Sequence, residues 1–348
     1  DERCDEALKL AFSLQWSSLR NSQSAMMMVN EQEVRLAARS LQEGQLVGMP
    51  TETVYGLAAD AGNHNAVEAI FAAKGRPKGQ PIIVHIGALE QLDTVGCDLT
   101  QAARKLAAAF WPGPLTLVVK RSDRIDKTVT GGHDTVGVRM PSHPVALALI
   151  NAFGGPVAAP SANKYGAVSP TKAAHVRAGL GDRVDMVLDG GACEVGIEST
   201  IVDVTKEEPV VLRLGLITEA QLTRVLGVDV CYSATSHTPS PGRVTSHYKP
   251  CADVYVIERP EIDAKLQELV SLGRQVGLVV CNVLDGIHGA HHTQVVGDGT
   301  HAYARKLYDC LHFADEKGVD AVIVEPPTGD GVGMAIMDRL RRASATVA

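Results

Sequence analysis

Residues 231–250, CYSATSHTPSPGRVTSHYKP, are rich in Ser, Thr, Pro and Gly and carry no apolar periodicity. Such a stretch can neither bury a face nor continue a ladder, so it reads as a linker or a functional loop. On either side of it strand-like and helix-like stretches alternate. That pattern constrains the chain more than any other feature: two α/β units joined by a break. Length agrees, because 348 residues are long for one hydrophobic core.

Within the first unit, NEQEVRLAARSLQ places Val34, Ala37, Ala38 and Leu41 on one helical face, and LVGMP follows as a short buried strand. NAVEAIFAAKG puts Val67, Ile70, Phe71 and Lys74 at i, i+3, i+4 and i+7, with Asn63 or Asn65 as cap and Gly75 as stop. PIIVHI, LTLVV, TVGVRM, GPVAAP, MVLDG and STIVDV read as strands, and Thr100 caps the helix QAARKLAAAF ahead of WPGP. Beyond the break, ADVYVIE, QVGLVVC, TQVVGDG and DAVIVEPP alternate with helices, which predicts a smaller parallel-sheet domain. The expected division is an extension outside the fold at 1–28, ending in the start-like run Met26-Met27-Met28. A catalytic-sized domain at 29–228, a linker at 229–250 and a small domain at 251–348 follow.

Charge and cysteine usage narrow the function classes. A formal net charge of −7 argues against a surface devoted to nucleic acid. The seven cysteines are scattered and never spaced C-x-x-C, so they read as reduced thiols of a cytoplasmic protein, with neither a disulfide framework nor a zinc site. No run of about 18 apolar residues occurs, so no membrane span is expected. The segment starting DERCDE does not read as a secretory signal or transit peptide.

Several constellations could carry chemistry. Lys74 lies on the apolar stripe of its helix, where a solvated lysine would not be placed. Arg76 precedes Pro77 and is pushed extended. Two cations leaving a helix end in this way suit phosphate oxygens, although cations decorating a helix C-terminus explain them equally well. In APSANKYGAVSPT, Ser161 and Asn163 follow a strand, where an open α/β sheet places ligand loops. Ser169 reads as a helix N-cap with proline at N1. Arg139 at the end of TVGVRM could clamp a carboxylate or simply face solvent. The paired hydroxyls of IEST, Ser199 and Thr200, are weak evidence alone. HGAHH reads as a solvated loop ahead of a metal site, GDGVG lacks the third glycine of a dinucleotide fingerprint, and neither a P-loop nor a nucleophile triad is present.

Taken together, PTETVYGL, KGRPKGQP, IIVHI, WPGPLTLVV, VGVRMPSHP, APSAN, SPT and ESTIVD follow one another in the order and spacing of the YrdC/Sua5 family, the threonylcarbamoyl-AMP synthases. The match spans about residues 31–228, and the tail with GDGVGMAIMDRLRRA resembles that family's smaller domain. The resemblance implies a twisted mixed-sheet domain with a central concave cavity, plus a small Rossmann-like parallel α/β domain. It implies a nucleotidyltransferase that turns L-threonine, bicarbonate and ATP into L-threonylcarbamoyladenylate, diphosphate and water, with Mg2+ held through the ATP phosphates and not by protein side chains. It also implies a downstream threonylcarbamoyl transferase complex that modifies tRNA at adenosine 37, with at most weak tRNA contact by this chain.

By the same resemblance, Lys74 and Arg76 are the catalytic cations. Arg76, Gln80, Thr135, Ser161, Asn163, Ser169, Arg213 and His247 would contact ATP. Thr53, His85, Arg139 and Ser199, with the backbone of Ala159, would contact threonine. Two positions depart from the family pattern: Gln80 stands where asparagine is usual, and Val244 and Thr245 replace the linker's basic and tyrosine positions. The linker is expected to close over the pocket as a lid. The rival readings are a double-stranded RNA or tRNA-binding module without catalysis, and a carbamoyltransferase-type enzyme.

Overall fold

The structure is a computed structural model that describes residues 30–236, 238–242, 247–282, 289–329 and 331–344. The extension expected at 1–28, linker positions Val244 and Thr245, and His288 lie outside the described residues.

Helix boundaries follow local chemistry. Asn30 accepts a hydrogen bond from the Glu33 amide while the Glu33 carboxylate accepts from the Asn30 amide, and this capping box opens the helix Glu31–Gln42. Its face of Val34, Ala37, Ala38 and Leu41 is buried, and full burial of a side chain such as Leu41 contributes about 1.5–3 kcal/mol. Asn63 caps His64–Lys74, and Gly75 ends it at φ 61°, in the left-handed region that lets its amide return to the last carbonyls. Thr100 caps Gln101–Phe110 as expected.

Ser169 differs from the expectation. The helix after it is Ala173–Leu180, with Lys172 at its N-cap position and no side-chain cap. The Ser169 hydroxyl instead donates to Glu198 (2.7 Å), because a buried carboxylate outcompetes an amide as its partner.

Among the described residues eleven strands make the first sheet: β1 (Val47–Met49), β2 (Gly56–Asp60), β3 (Val84–His85), β4 (Gly96–Cys97), β5 (Leu115–Arg121), β6 (Thr135–Arg139), β7 (Val157–Ala158), β8 (Met186–Val187), β9 (Thr200–Asp203), β10 (Val210–Arg213) and β11 (Cys231–Tyr232). Their order is β11-β10-β9-β5-β6-β3-β7-β2-β1-β8, with β4 beside β5. The sheet is mixed: β3–β6, β5–β9, β1–β8 and β10–β11 run parallel and the other pairs antiparallel. Because β11 pairs with β10, the chain stays on this sheet into the segment read as linker.

The second sheet is wholly parallel, in the order β12 (Asp253–Val256), β15 (Ala321–Val324), β13 (Val276–Val280), β14 (His292–Val295). Helices Ile262–Ser271, Thr300–Lys317 and Val332–Ser344 connect and flank its strands.

The two domains share packing. One apolar cluster runs from Val54, Val168, Val195 and Ile197 of the first domain through Tyr248 to Tyr303, Leu307, Tyr308 and Ile336 of the second. Gly196 fits where the domains meet: a Cβ on it would lie 2.4 Å from the Ala304 carbonyl oxygen. Among the described residues no helix is long and apolar enough to cross a membrane.

Candidate active site

A cleft opens at the centre of the first sheet, and Arg76, Arg139, Arg213, His85, Thr53, Ser199 and His247 are among its walls. Each is delivered by a distinct local device.

The β1–β2 connection turns on Thr51. Its hydroxyl donates to the Val54 carbonyl (2.6 Å) and accepts from the Val54 and Thr53 amides (both 3.3 Å), a turn that a serine or threonine can make with its own side chain. The turn presents the Thr53 hydroxyl, which accepts from Arg139 Nη1 (2.8 Å). Arg139 Nε donates to the Gly113 carbonyl (3.2 Å). Glu52 Oε2 lies 2.6 Å from Arg139 Nη2, yet neither atom makes an aligned hydrogen bond. The guanidinium is therefore anchored on three sides, by Thr53, the Gly113 carbonyl and the buried ion pair with Glu52.

His85 enters beside it because β3 and β6 pair in parallel with His85 opposite Arg139. Its Nδ1 has no hydrogen-bond partner among the described residues. Burial, with Arg139 adding to it, pushes this imidazole down to about 3, so it is neutral at pH 7.

On the far wall, β9 follows Glu198 and Ser199. The Ser199 hydroxyl pairs with that of Thr116 (2.8 Å). Arg213, at the irregular end of the β9–β10 ladder, donates from Nε to the Ser199 carbonyl and from Nη2 to the Ser199 hydroxyl (both 3.1 Å). Arg76 emerges after Gly75 and donates from Nη2 to the Pro81 carbonyl (3.0 Å), leaving its Nε without a partner. Burial lowers it to about 10, so it stays charged at neutral pH.

The linker returns to the cavity at Pro241, Gly242, His247 and Tyr248. Burial, with Lys74, Arg76 and Arg213 adding to it against Glu198, lowers His247 to about 3. Gly242 is required twice over: φ is 80°, and a Cβ would sit 2.6 Å from the Tyr248 hydroxyl and 3.2 Å from Arg213 Nη1.

Nine sequence-predicted residues thus share one cavity: Thr53, Arg76, His85, Arg139, Ala159, Ser161, Ser199, Arg213 and His247. Five stand elsewhere. The Lys74 ammonium donates to the carbonyls of Ser161 (2.5 Å) and Asn163 (2.6 Å), behind the loop and not in the cavity wall. Its burial, then Arg76, lowers its pKa well below the usual lysine range. The Asn163 amide donates to the Lys164 and Ala167 carbonyls and shapes its own turn. Gln80 donates to the Tyr165 hydroxyl (2.6 Å), whose ring meets His247 edge-on at 6.0 Å. Thr135 begins the strand that Arg139 ends, roughly 13 Å away at the rise of an extended chain. Ser169 sits behind Glu198.

Sequence reasoning did not select Glu52 or Glu198 as site residues. The signal was there: each is a carboxylate inside an otherwise buried run, and a buried charge demands a partner. Tyr55 and Lys78, prominent in the same motifs, are structural. Tyr55 donates to the Gly191 carbonyl, and Lys78 pairs with Glu68 at the surface. Among the described residues no group of three or more His, Cys, Asp or Glu is placed to hold a metal ion.

Three guanidinium groups, two neutral imidazoles and several hydroxyls around one cleft make an α/β domain built to hold more than one anionic or polar substrate group. Comparison with known proteins agrees with that class. The Sua5–YciO–YrdC family model, described as "Telomere recombination", matches residues 39–215, and the model "Threonylcarbamoyl-AMP synthase, C-terminal domain" matches 217–345. The chain is 41% identical over 323 residues to a threonylcarbamoyl-AMP synthase of Pyrococcus abyssi, covering 91% of this chain and 95% of that one. A Bacillus subtilis protein of the same name is 42% identical over 324 residues, covering 90% and 94%. The crystal structure of P. abyssi Sua5 complexed with L-threonine superposes with a TM-score of 0.86 at 39% identity, covering 91% of this chain and 95% of that one. The chain belongs to the threonylcarbamoyl-AMP synthase family.

Proposed function

We propose that this cavity makes L-threonylcarbamoyladenylate from L-threonine, bicarbonate and ATP. The observation that carries the reading is the convergence of Arg76, Arg139 and Arg213 on one space that also holds Thr53, Ser199 and His85. The threonine amine adds to bicarbonate with loss of water to give a carbamate. A carbamate oxygen then forms a bond to the α-phosphorus of ATP as the bond to the β-phosphate oxygen breaks and diphosphate leaves. Two anions have to meet, so positioned cations are the main requirement and no covalent nucleophile is needed.

Arg139 takes the threonine carboxylate on its guanidinium, a planar fork suited to that group, while Glu52 holds its other edge. Thr53 and neutral His85 recognise the amino acid's other polar atoms, with Ser199 and the Ala159 backbone completing the pocket. Arg76 and Arg213 face the phosphates, with Ser161 and His247 beside them, while Gln80, Thr135, Asn163 and Ser169 lie along the extended nucleotide or support its loop. Lys74 acts through the Ser161 and Asn163 carbonyls it holds, fixing from behind the loop that carries Ser161. Mg2+ would arrive with the triphosphate as part of the substrate. The linker residues Pro241, Gly242, His247 and Tyr248 form a lid. The product goes to a separate transferase for tRNA modification.

The test incubates the chain with ATP, bicarbonate and single amino acids, following diphosphate release and the adenylate by mass. The adenylate should require threonine and bicarbonate together. Salt-sensitive RNA binding without any adenylate would favour the binding-module alternative instead.

A further inference from the structure

Glu198 stands in the cavity wall, but its oxygens are taken from behind. Oε1 accepts from the Ser169 hydroxyl (2.7 Å), and Oε2 from the Tyr308 hydroxyl (2.9 Å) and Arg339 Nε (3.0 Å). Ser169 belongs to the first domain, whereas Tyr308 and Arg339 come from two different helices of the second. All four residues are buried. Burial alone would raise the pKa of Glu198, and Arg339, Arg213 and Ser169 outweigh it, so the carboxylate stays ionised.

The same two C-terminal side chains bracket the linker. The Tyr248 ring stacks on Tyr308 at 5.6 Å and 28°, and the Arg339 guanidinium carbon lies 5.6 Å from the Tyr248 ring centre. Tyr248 has φ 64°, a conformation that non-glycine residues hold only where their surroundings over-determine it. Two routes therefore lead from the second domain to Arg213. One passes along the backbone from Glu198 to Ser199, which accepts two hydrogen bonds from Arg213. The other passes through Tyr248, whose hydroxyl packs against Gly242 beside Arg213.

We infer that Tyr308 and Arg339 are positioning residues for the cavity: by holding Glu198 and Tyr248, the C-terminal domain sets the orientation of Arg213 and seats the linker residues Gly242 and Tyr248 at the cavity wall. The role given to Arg213 rests on the nucleotide reading above. The seating of the linker does not.

Tyr308→Phe in the full chain removes one hydroxyl and keeps the ring stacked on Tyr248. Arg339→Met removes the guanidinium, and Arg339→Lys restores a charge. Two quantities are read below the melting temperature: amide hydrogen exchange of the ligand-free protein over peptides carrying Gly242 and Tyr248, and steady-state constants for adenylate synthesis. Tyr308→Phe should exchange about tenfold faster at the linker and show an ATP KM raised about tenfold, with the threonine KM changed less than about twofold. Arg339→Met should do the same, and Arg339→Lys should recover part of the ATP KM. If Arg339→Met fails to fold, Tyr308→Phe decides alone. A role confined to domain cohesion would lower the melting temperature and leave both linker exchange and ATP KM at wild-type values, and that result overturns the inference. Should wild type make no adenylate, the functional reading fails by itself, and linker exchange still decides the network.

Discussion

The ammonium of Lys74 lies 2.5 Å from the carbonyl oxygen of Ser161, so this lysine faces the back of a loop whose front lines the cavity. Arg76, two residues on, lines the cavity itself. The motif's two cations therefore act at different distances from the reactants, and their removal should read differently.

Lys74→Met leaves two loop carbonyls without a donor. It should lower the melting temperature by roughly 3–6 °C and raise the ATP KM together with a severe loss of turnover. Arg76→Ala should lower kcat by about 100- to 1,000-fold, as for loss of one preorganised donor, with little change in melting temperature. Calorimetry and steady-state kinetics on both variants check this. Wild-type turnover in either removes that residue from the mechanism.

Arg139→Gln keeps a hydrogen-bonding head and loses the charge opposite Glu52. The threonine KM should rise about 100-fold, as expected for a charge-assisted carboxylate contact, and the ATP KM should stay near wild type. The double variant with Glu52→Gln should fold more stably than Arg139→Gln alone, because it no longer buries an unpaired carboxylate. Threonine titrations and thermal melts measure both.

His85 and His247 are held down to about 3, and His175 to about 4, each chiefly by burial. An ordinary histidine titrates near 6.5, so between these values the unfolded chain binds a proton at each site and the folded chain does not. Stability is thus fully present above about pH 6.5 and falls as the pH drops towards 4, by about 1.4 kcal/mol per pH unit for each such group. Melting curves from pH 7.5 to 4.5 should show the fall, and His85→Asn should make it shallower. A slope unchanged by His85→Asn would contradict a neutral buried imidazole.

Gly242→Ala forces a Cβ into the Tyr248 hydroxyl at a positive φ. The linker cannot then seat as it does here, and of the shared apolar cluster only Tyr248 is met by the added Cβ. Adenylate synthesis should fall about tenfold or more with the melting temperature near wild type, and deletion of residues 238–250 should be worse. Unaltered synthesis and substrate affinity in the deletion would rule out a lid.

What the sequence shows and what it hides divide along sequence distance. The end of the helix His64–Lys74 was legible to the residue because Gly75 acts within one turn of it, while its start was open between Asn63 and Asn65 until the structure placed the cap on Asn63. Strands β1, β3 and β5–β9 were legible as apolar runs, whereas β2, β4, β10 and β11 went unread, being short or built on Gly, Ala and Cys. The cavity residues Thr53, Arg139 and Ser199 were reached through motifs and not through chemistry visible in any one of them. The direction of Lys74 was hidden: helical periodicity says that it is buried, and nothing local says that carbonyls 87 and 89 residues away receive it. Ser169 was misread as a cap because its true partner, Glu198, is 29 residues on. Tyr308 and Arg339 could not be tied to that carboxylate from 110 and 141 residues away.

The most direct measurement is a crystal structure of the chain with threonine and a non-hydrolysable ATP analogue. The threonine carboxylate should lie on Arg139 and the triphosphate between Arg76 and Arg213, beneath Gly242 and His247. A triphosphate bound away from Arg76 and Arg213, or a cavity that takes threonine and never nucleotide, would contradict the account.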